Sequence, residues 1–332
     1  MTKTLPLVRL SSINPFLLEL RRRGLDAAGL LRSMNLPTEI PASPEIFSVS
    51  SLIYELVERT ADIADDRFFG FGIGRQLDLT KWDPARSAAE RSRTIGGVLA
   101  RFTVKAEEHS SASQFYLHIS GKRSTFGLRR VRRPSIPLGQ NDAFYLGFMS
   151  QMLTNSLRDQ WDAKECLFRV VDPDCVPAGD YGFRIAKGNR RGIQIAFPTS
   201  WLFVPNGHLR PDVRDEPALE SGMPVSLIES VRIALRPHLS DADLTVDRAA
   251  KICGYDRRRL SRWLREAGTT LSKEIAKLRA EMAEHDLTHT DRRIADIAQS
   301  VGFKDPTTFS RAFRNWTGQS PQECRRAHTS PK

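Results

Sequence analysis

Apolar residues recur at helical spacing over most of the first hundred positions. Asn14-Pro15 reads as a cap followed by a first-position proline, opening a helix through Leu17, Leu18 and Leu20. Gly24 breaks it, and Leu25 to Met34 predicts a second helical piece that stops before Pro37. Leu52, Ile53, Leu56 and Val57 share one side of a predicted helix from Ser50 to Asp62. A Gly-punctuated stretch from Phe68 to Gly74 follows, and Ile95 to Glu107 is again helical. The period then changes. Phe115, Leu117 and Ile119 alternate with Gln114, Tyr116 and His118, as in a half-buried strand. Gly121-Lys122 predicts a turn, and Phe126 and Leu128 continue a second strand. Phe144, Phe148 and Met152 mark a helix from Asn141 to Leu157, while Leu167 to Val171 and Ile193 to Phe197 read as further strands. Trp201 to Val204 forms an apolar end.

Pro205, Pro211, Pro217 and Pro224, set among Asn, Gly, Asp and Glu, suit a linker and not a core element. The chain therefore divides into residues 1–204, a linker at 205–224 and residues 225–332. The first part mixes helices with strands too dispersed for a doubly wound sheet. Beyond the linker only helical periods occur: Val225 to His238, Leu271 to Leu287 and two short repeated pieces. The fold class is α+β, a mixed α/β domain joined to an all-α domain.

The repeated pieces are clearest from Ile294 to Pro321. Ile294, Ile297, Ala298 and Val301 form one apolar face, and Gly302 suits the left-handed position that ends a helix. Asp305 can cap the next helix, with Pro306 at its first position and Phe309 and Phe313 on its inner face. Gly318 is the second stop. A looser copy lies upstream: Ala250 to Gly254 repeats Ala298 to Gly302, Leu260 to Arg265 parallels Phe309 to Arg314, and Gly268 matches Gly318. A helix, a Gly-containing turn and a second helix with a basic outer face form a helix-turn-helix unit, here present twice.

The run IADIAQSVGFKDPTTFSRAFRNWTGQSP resembles the most diagnostic motif of AraC/XylS-type transcription regulators, and the last hundred or so residues resemble their paired helix-turn-helix domain. The first copy departs from the pattern, since Asp256 stands where the family often has Ser and Arg257-Arg258-Arg259 is unusually basic. Residues 5 to 205 resemble, more diffusely, the arabinose-binding-like sensor domain of the longer members, best over Phe16 to Leu36 and Ile193 to Val204. That resemblance implies effector sensing or dimerisation without identifying the small-molecule effector. It also implies RNA polymerase as a partner, a homodimer, and an activator, as many relatives are.

Charge agrees with a polyanionic partner. The net charge is +11, and 20 Lys/Arg against 14 Asp/Glu lie from Val225 onward, so the excess is densest there. A basic balance favours phosphate neutralisation and counterion release. No stretch of about 18 apolar residues and no continuous apolar leader core is found, so no membrane contact and a cytoplasmic location are expected. Cys166, Cys175, Cys253 and Cys324 form no CxxC and no ligand spacing with the histidines; no metal or cofactor is expected.

On the first reading helix the positions away from Leu260 and Leu264 are Arg257, Arg258, Ser261, Arg262 and Arg265. The resemblance places base contacts on Arg258, Ser261 and Arg262, and on Thr307, Thr308, Ser310 and Arg311 of the second helix. Arginine offers a fork to guanine, and threonine a methyl group for thymine. Arg257, Arg265 and Arg314, with helix-start N–H groups, suit phosphates. The alternatives are a solvated charged face for the arginines and a hydroxyl turned to its own backbone for the serines. The connecting helix, at 1.5 Å per residue, spans about 26 Å, which lets the reading helices stand roughly one DNA turn apart without a second chain.

Other patterns point elsewhere. Phe71-Gly72-Ile73-Gly74 lacks the strand-to-helix fingerprint of a nucleotide site, and Arg129 to Arg133 reads as a solvated loop, with contact to DNA flanks or to an acidic effector as the alternatives. His118 and Tyr116 lie on the polar side of their strand. Glu281 and Asp286 have no paired-carboxylate geometry. Two rival functions stand beside a regulator. One is a repair-type enzyme accepting alkyl groups on Cys166 or Cys175, which lack activating neighbours. The other is an architectural protein without sequence preference.

Overall fold

The computed structural model describes residues 4–34, 36–38, 46–206 and 226–329. The chain forms two compact units, one of Pro6–Met34 with Thr38–Met223, the other of Pro224–Lys332 with Met1–Leu5 and Asn35–Pro37. Most of the linker read from the sequence, residues 207–224, lies outside the described residues. Pro205 and Asn206 do not: Asn206 is buried, donates its side-chain amide to the Ala89 and Ser92 carbonyls, and its N–H bonds the Arg93 carbonyl.

The first unit is built on a five-stranded sheet. Its strands are β3 (Ser113–Ser120), β4 (Arg123–Arg130), β5 (Leu167–Val170), β6 (Arg184–Lys187) and β7 (Gly192–Pro198), in the order β3-β4-β7-β5-β6. All pairs are antiparallel except β5–β6. A separate two-stranded ribbon joins β1 (Leu7–Arg9) to β2 (Phe47–Val49). Two-residue alternation brings Phe126, Ile195 and Phe168 into one row across β4, β7 and β5, and all three are buried. Against this row lies α7 (Gly139–Leu157), whose Phe148, Met149 and Met152 belong to the same core. Each such large side chain contributes roughly 1.5–3 kcal/mol. The remaining helices are α1 (Asn14–Arg22), α2 (Ala27–Ser33), α3 (Ser50–Ala64), α4 (Phe69–Gln76), α5 (Asp83–Glu90), α6 (Ile95–Ala106) and the single turn α8 (Ala178–Tyr181).

Several expectations are corrected. Asn14 is inside α1 and not its cap: Ile13 holds that position, with no side-chain cap bond, and Pro15 is in the first turn. The Gly-punctuated stretch is the helix α4. Its glycines serve close approach and not turning: a Cβ on Gly74 would stand 2.1 Å from the Phe144 carbonyl oxygen, and one on Gly70 2.3 Å from that of Gln140. Thus α4 seats its backbone directly on α7. The basic run is not wholly a solvated loop either. Arg129 and Arg130 end β4, and Arg130 is only 5% exposed, paired through Nη2 with the fully buried Asp142 and with Asn141 Oδ1. An opposite charge twelve residues on, in the first turn of α7, makes that burial tolerable.

The second unit is all helical: α9 (Leu227–Leu235), α10 (Val246–Ile252), α11 (Arg257–Glu266), α12 (Leu271–His289), α13 (Ile294–Ser300), α14 (Pro306–Thr317) and α15 (Pro321–Thr329). The long α12 is the spine, packing against each of the others. Its Ala283 and Leu287 share a core with Ile297, Ala298, Val301, Phe309, Phe313 and Cys324. The final helix, α15, supplies Cys324 to that core and was not read from periodicity. Among the described residues no helix is long and apolar enough to cross a membrane.

Candidate nucleic-acid interface

Both helix pairs of the second unit close in the same way. After α10, the Gly254 N–H bonds the Lys251 carbonyl and the Tyr255 N–H the Ala250 carbonyl, at 2.8 and 3.1 Å. After α13, Gly302 and Phe303 repeat the two bonds to Gln299 and Ala298, at 3.0 and 2.9 Å. These are the paired bonds of a Schellman stop, which needs a left-handed residue, and the φ angles are +72° at Gly254 and +82° at Gly302. Gly302 is doubly constrained, because a Cβ there would meet the Leu239 carbonyl oxygen at 2.6 Å.

Each reading helix then starts on an aspartate. Asp256 Oδ1 accepts the Arg259 N–H at 2.9 Å, and Asp305 Oδ2 accepts the Thr308 N–H at 2.7 Å. The hydrogen bonds to Asp305, led by the Thr308 side chain, hold its carboxyl below the usual range, so the cap is charged at neutral pH. The inner faces, Leu260 and Leu264 on α11 and Phe309 and Phe313 on α14, are fully buried. That seating turns the opposite faces outward.

On α11 the face carries Arg257, Arg258, Arg262 and Arg265, all exposed, with Ser261 half-buried. Among the described residues Arg258 and Arg262 make no hydrogen bond or ion pair. Arg257 reaches back to Asp247 of α10 at 3.1 Å, both partners being more than half exposed. Such a pair is worth roughly 0–1 kcal/mol and yields readily to a phosphate. Arg265 Nε donates to its own helix, at the Ser261 carbonyl. Arg259, outside the set read from the sequence, stacks over Trp263 at 4.7 Å and Tyr255 at 5.5 Å.

On α14, Thr307, Thr308, Arg311 and Arg314 are exposed and Ser310 is half-buried. The Thr308 hydroxyl donates to the Asp305 cap at 2.7 Å, and the Ser310 hydroxyl donates to the Pro306 carbonyl at 2.8 Å. Both protons are therefore engaged within the helix, leaving oxygen lone pairs and, on threonine, the methyl group facing out. Thr307 and Arg311 hold the least committed polar groups. Arg293, outside the set read from the sequence, is exposed at the cap position of α13. Its signal was the Arg292-Arg293 pair directly before the periodic run. Trp263 and Trp316 are half-buried; Trp316 packs on Phe303, as a core residue and not a stacking platform.

The cysteines offer no comparable chemistry. Burial pushes the Cys166 and Cys175 thiols up to about 12, which leaves almost no thiolate at neutral pH. No group of three or more metal-ligating side chains occurs among the described residues.

Comparison with known proteins places both units. Residues 249–327 match a helix-turn-helix domain, and residues 24–181 match the arabinose-binding N-terminal domain of AraC transcription regulators. The chain is 34% identical over 98 residues to the transcriptional activator NphR of a Rhodococcus species, covering 30% of this chain and 29% of that one. It is 37% identical over 82 residues to the ornithine utilization regulator of Pseudomonas aeruginosa, covering 25% of this chain and 24% of that protein. These alignments thus span less than a third of the relatives' own lengths. Among solved structures, the transcriptional regulator CdpR from Pseudomonas aeruginosa aligns over 95% of this chain and 98% of that one, at 16% identity and a TM-score of 0.36. With the two domain matches standing in family order along one polypeptide, the chain belongs to the AraC/XylS family of transcription regulators.

Proposed function

We propose that this chain is a sequence-specific DNA-binding transcription regulator that reads two successive major-groove segments and answers to a small-molecule effector. The carrying observation is the repetition of one turn, one cap and one outward basic face at α11 and α14. Arg258, Ser261 and Arg262 read bases in one groove, and Thr307, Thr308, Ser310 and Arg311 in the next. Arg257, Arg265 and Arg314 hold phosphates. The spine α12, 19 residues long, spans about 28 Å, a length that lets the two helix-turn-helix motifs stand roughly one helical turn of DNA apart.

On this reading residues 1–204 sense the effector or dimerise, residues 205–224 link, and residues 225–332 bind DNA. RNA polymerase and a second copy of the chain are its protein partners, the cytoplasm its compartment, and activation its sign, in keeping with the activator NphR. The high thiol values of Cys166 and Cys175 weigh against the rival reading as an alkyl-accepting repair protein.

The experiment is selection of bound duplexes from a random library, followed by competition at fixed salt. A regulator holds its selected duplex roughly 10³-fold or more tighter than random sequence. A ratio near one would replace it with an architectural protein.

A further inference from the structure

Strand β3 ends the five-stranded sheet, bonded to β4 on one side only. Gly121-Lys122 joins the two strands in a two-residue turn, with φ of +59° at Gly121, so Ser120 and Arg123 form the first hydrogen-bonded pair. Along an antiparallel ladder such pairs alternate with pairs that exchange no hydrogen bond. The backbone N–H and C=O groups of Gln114, Tyr116 and His118 therefore turn to β4, and those of Phe115, Leu117 and Ile119 turn to the free edge. Among the described residues no hydrogen bond reaches those edge groups.

Natural sheets blunt an open edge with charge, proline, a bulge or a short strand. The opposite edge does so: β6 has four residues, with Arg184 and Lys187 exposed at its ends. By contrast β3 has eight residues, SQFYLHIS, without Lys, Arg, Asp, Glu or Pro, in unbroken register with β4, and Ile119 is 57% exposed. An open groove of about 610 Å³ follows it, lined by Gln114 through His118 in succession. Tyr116 leaves the edge clear: its hydroxyl donates to Gln194 Oε1 of β7 at 3.2 Å, so its ring leans across Gly127 of β4.

We propose that β3 is the contact surface for a second copy of this chain, the two strands pairing antiparallel about a two-fold axis at Tyr116. Charge and symmetry select that occupant. The axis sets Phe115 opposite the partner's Leu117 on the core face, Gln114 opposite the partner's His118 on the outer face, and Tyr116 opposite the partner's Tyr116. Apolar meets apolar, polar meets polar, and an aromatic pair sits at the centre. The whole chain carries +11, so copies repel over most of their surface, and an uncharged edge is where two can meet. An acidic or basic peptide would find no counter-charge on the strand itself. A contact one strand long is at the small end of protein interfaces, so dissociation is expected at about 1–100 μM. The contact rests on the reading that a second copy is a partner, and gives that partner its surface.

The test is sedimentation velocity of the full chain at low salt, over roughly 1–500 μM, with two double variants of exposed residues. Gln114→Lys with His118→Lys sets like charges opposite one another in both halves of the contact, and Gln114→Lys with His118→Glu sets unlike ones. Within one copy the two positions stand about 13 Å apart, and circular dichroism reports whether each variant is folded. The unaltered chain and the unlike-charged variant are expected to dimerise, and the like-charged variant to need at least about tenfold more protein. Hydrogen exchange reads the strand directly: the Phe115, Leu117 and Ile119 amides gain protection as the concentration rises, whereas those of Gln114, Tyr116 and His118 are protected throughout. A dimer equally stable in all three proteins, or weakened equally in both variants, overturns this surface and leaves a second copy as partner. A chain that stays monomeric throughout overturns both. Slow exchange of the three edge amides at the lowest concentration also overturns the surface, because the chain itself then covers its edge. Preference for a selected duplex is measured separately and survives each of these results.

Discussion

Gly302 and Gly318 offer a difference measurement on the turn that aims the second reading helix. Both have positive φ, +82° and +84°. A Cβ on Gly318 meets nothing within 4 Å, whereas on Gly302 it meets the Leu239 carbonyl oxygen at 2.6 Å and the Asp241 carbonyl oxygen at 3.0 Å. Gly318→Ala therefore costs only the left-handed strain, about 1–2 kcal/mol. Gly302→Ala costs the same strain plus a clash with two backbone carbonyls that cannot rotate away, a further 1–3 kcal/mol or so. Hydrogen exchange of the Phe309 and Phe313 amides, which lie in the core that both turns border, reads each loss as an opening free energy. The variants should differ by about 1–3 kcal/mol, with Gly302→Ala the weaker protein. Equal losses would refute the argument that the close approach to Leu239, and not φ alone, requires glycine there.

Other expectations concern the first unit. Burial raises the Glu58 carboxyl to about 7, against two backbone N–H groups from Gln140 and Asn141 that favour its charge. The raised value means the folded unit prefers the proton. Glu58 thus contributes stability fully below about pH 4.5, and it is lost as the pH rises through about 7, up to roughly 3 kcal/mol. Glu58→Gln should flatten that part of the stability–pH curve in urea titrations, and an unchanged slope would count against the assignment. In α4, Gly74→Ala should lower the unit's stability by about 3 kcal/mol or more, while Gly72→Ala, with nothing within 4 Å, should be neutral or gain up to about 1 kcal/mol. Thermal unfolding of the pair checks this, and equal behaviour would mean that α4 does not pack closely on α7.

The second unit was the more legible because its signals are local. An aspartate caps three residues ahead, a glycine stops one turn behind, and their repetition made α10–α11 and α13–α14 readable as a pair. The first unit depends on distant pairings. The parallel β5–β6 contact joins Leu167 to Arg184, and β7 enters between β4 and β5 from further along the chain. The three-residue strands β1 and β2 are too short for any period to appear. The stretch holding Gly70 and Gly74 was given no element for a physical reason: a glycine for close approach and a glycine for a turn are the same letter. Arg130 misled because a run of arginines conceals the one whose partner, Asp142, lies on another element. Within the interface, the exposed arginines of α11 and α14 were readable from helical spacing. The engagement of the Thr308 and Ser310 hydroxyls by Asp305 and Pro306 needed coordinates.

The central claim is that α11 and α14 each read bases in their own groove. Its most direct test is the affinity of Arg262→Ala and Arg311→Ala for the selected duplex and for every single-base variant of it, at two salt concentrations. The account predicts that each substitution costs about 1–3 kcal/mol and relaxes preference at one position, the two positions lying in different halves of the site. A uniform loss on all sequences, with the salt slope reduced by about 1 per arginine, would instead assign both side chains to phosphates and contradict it.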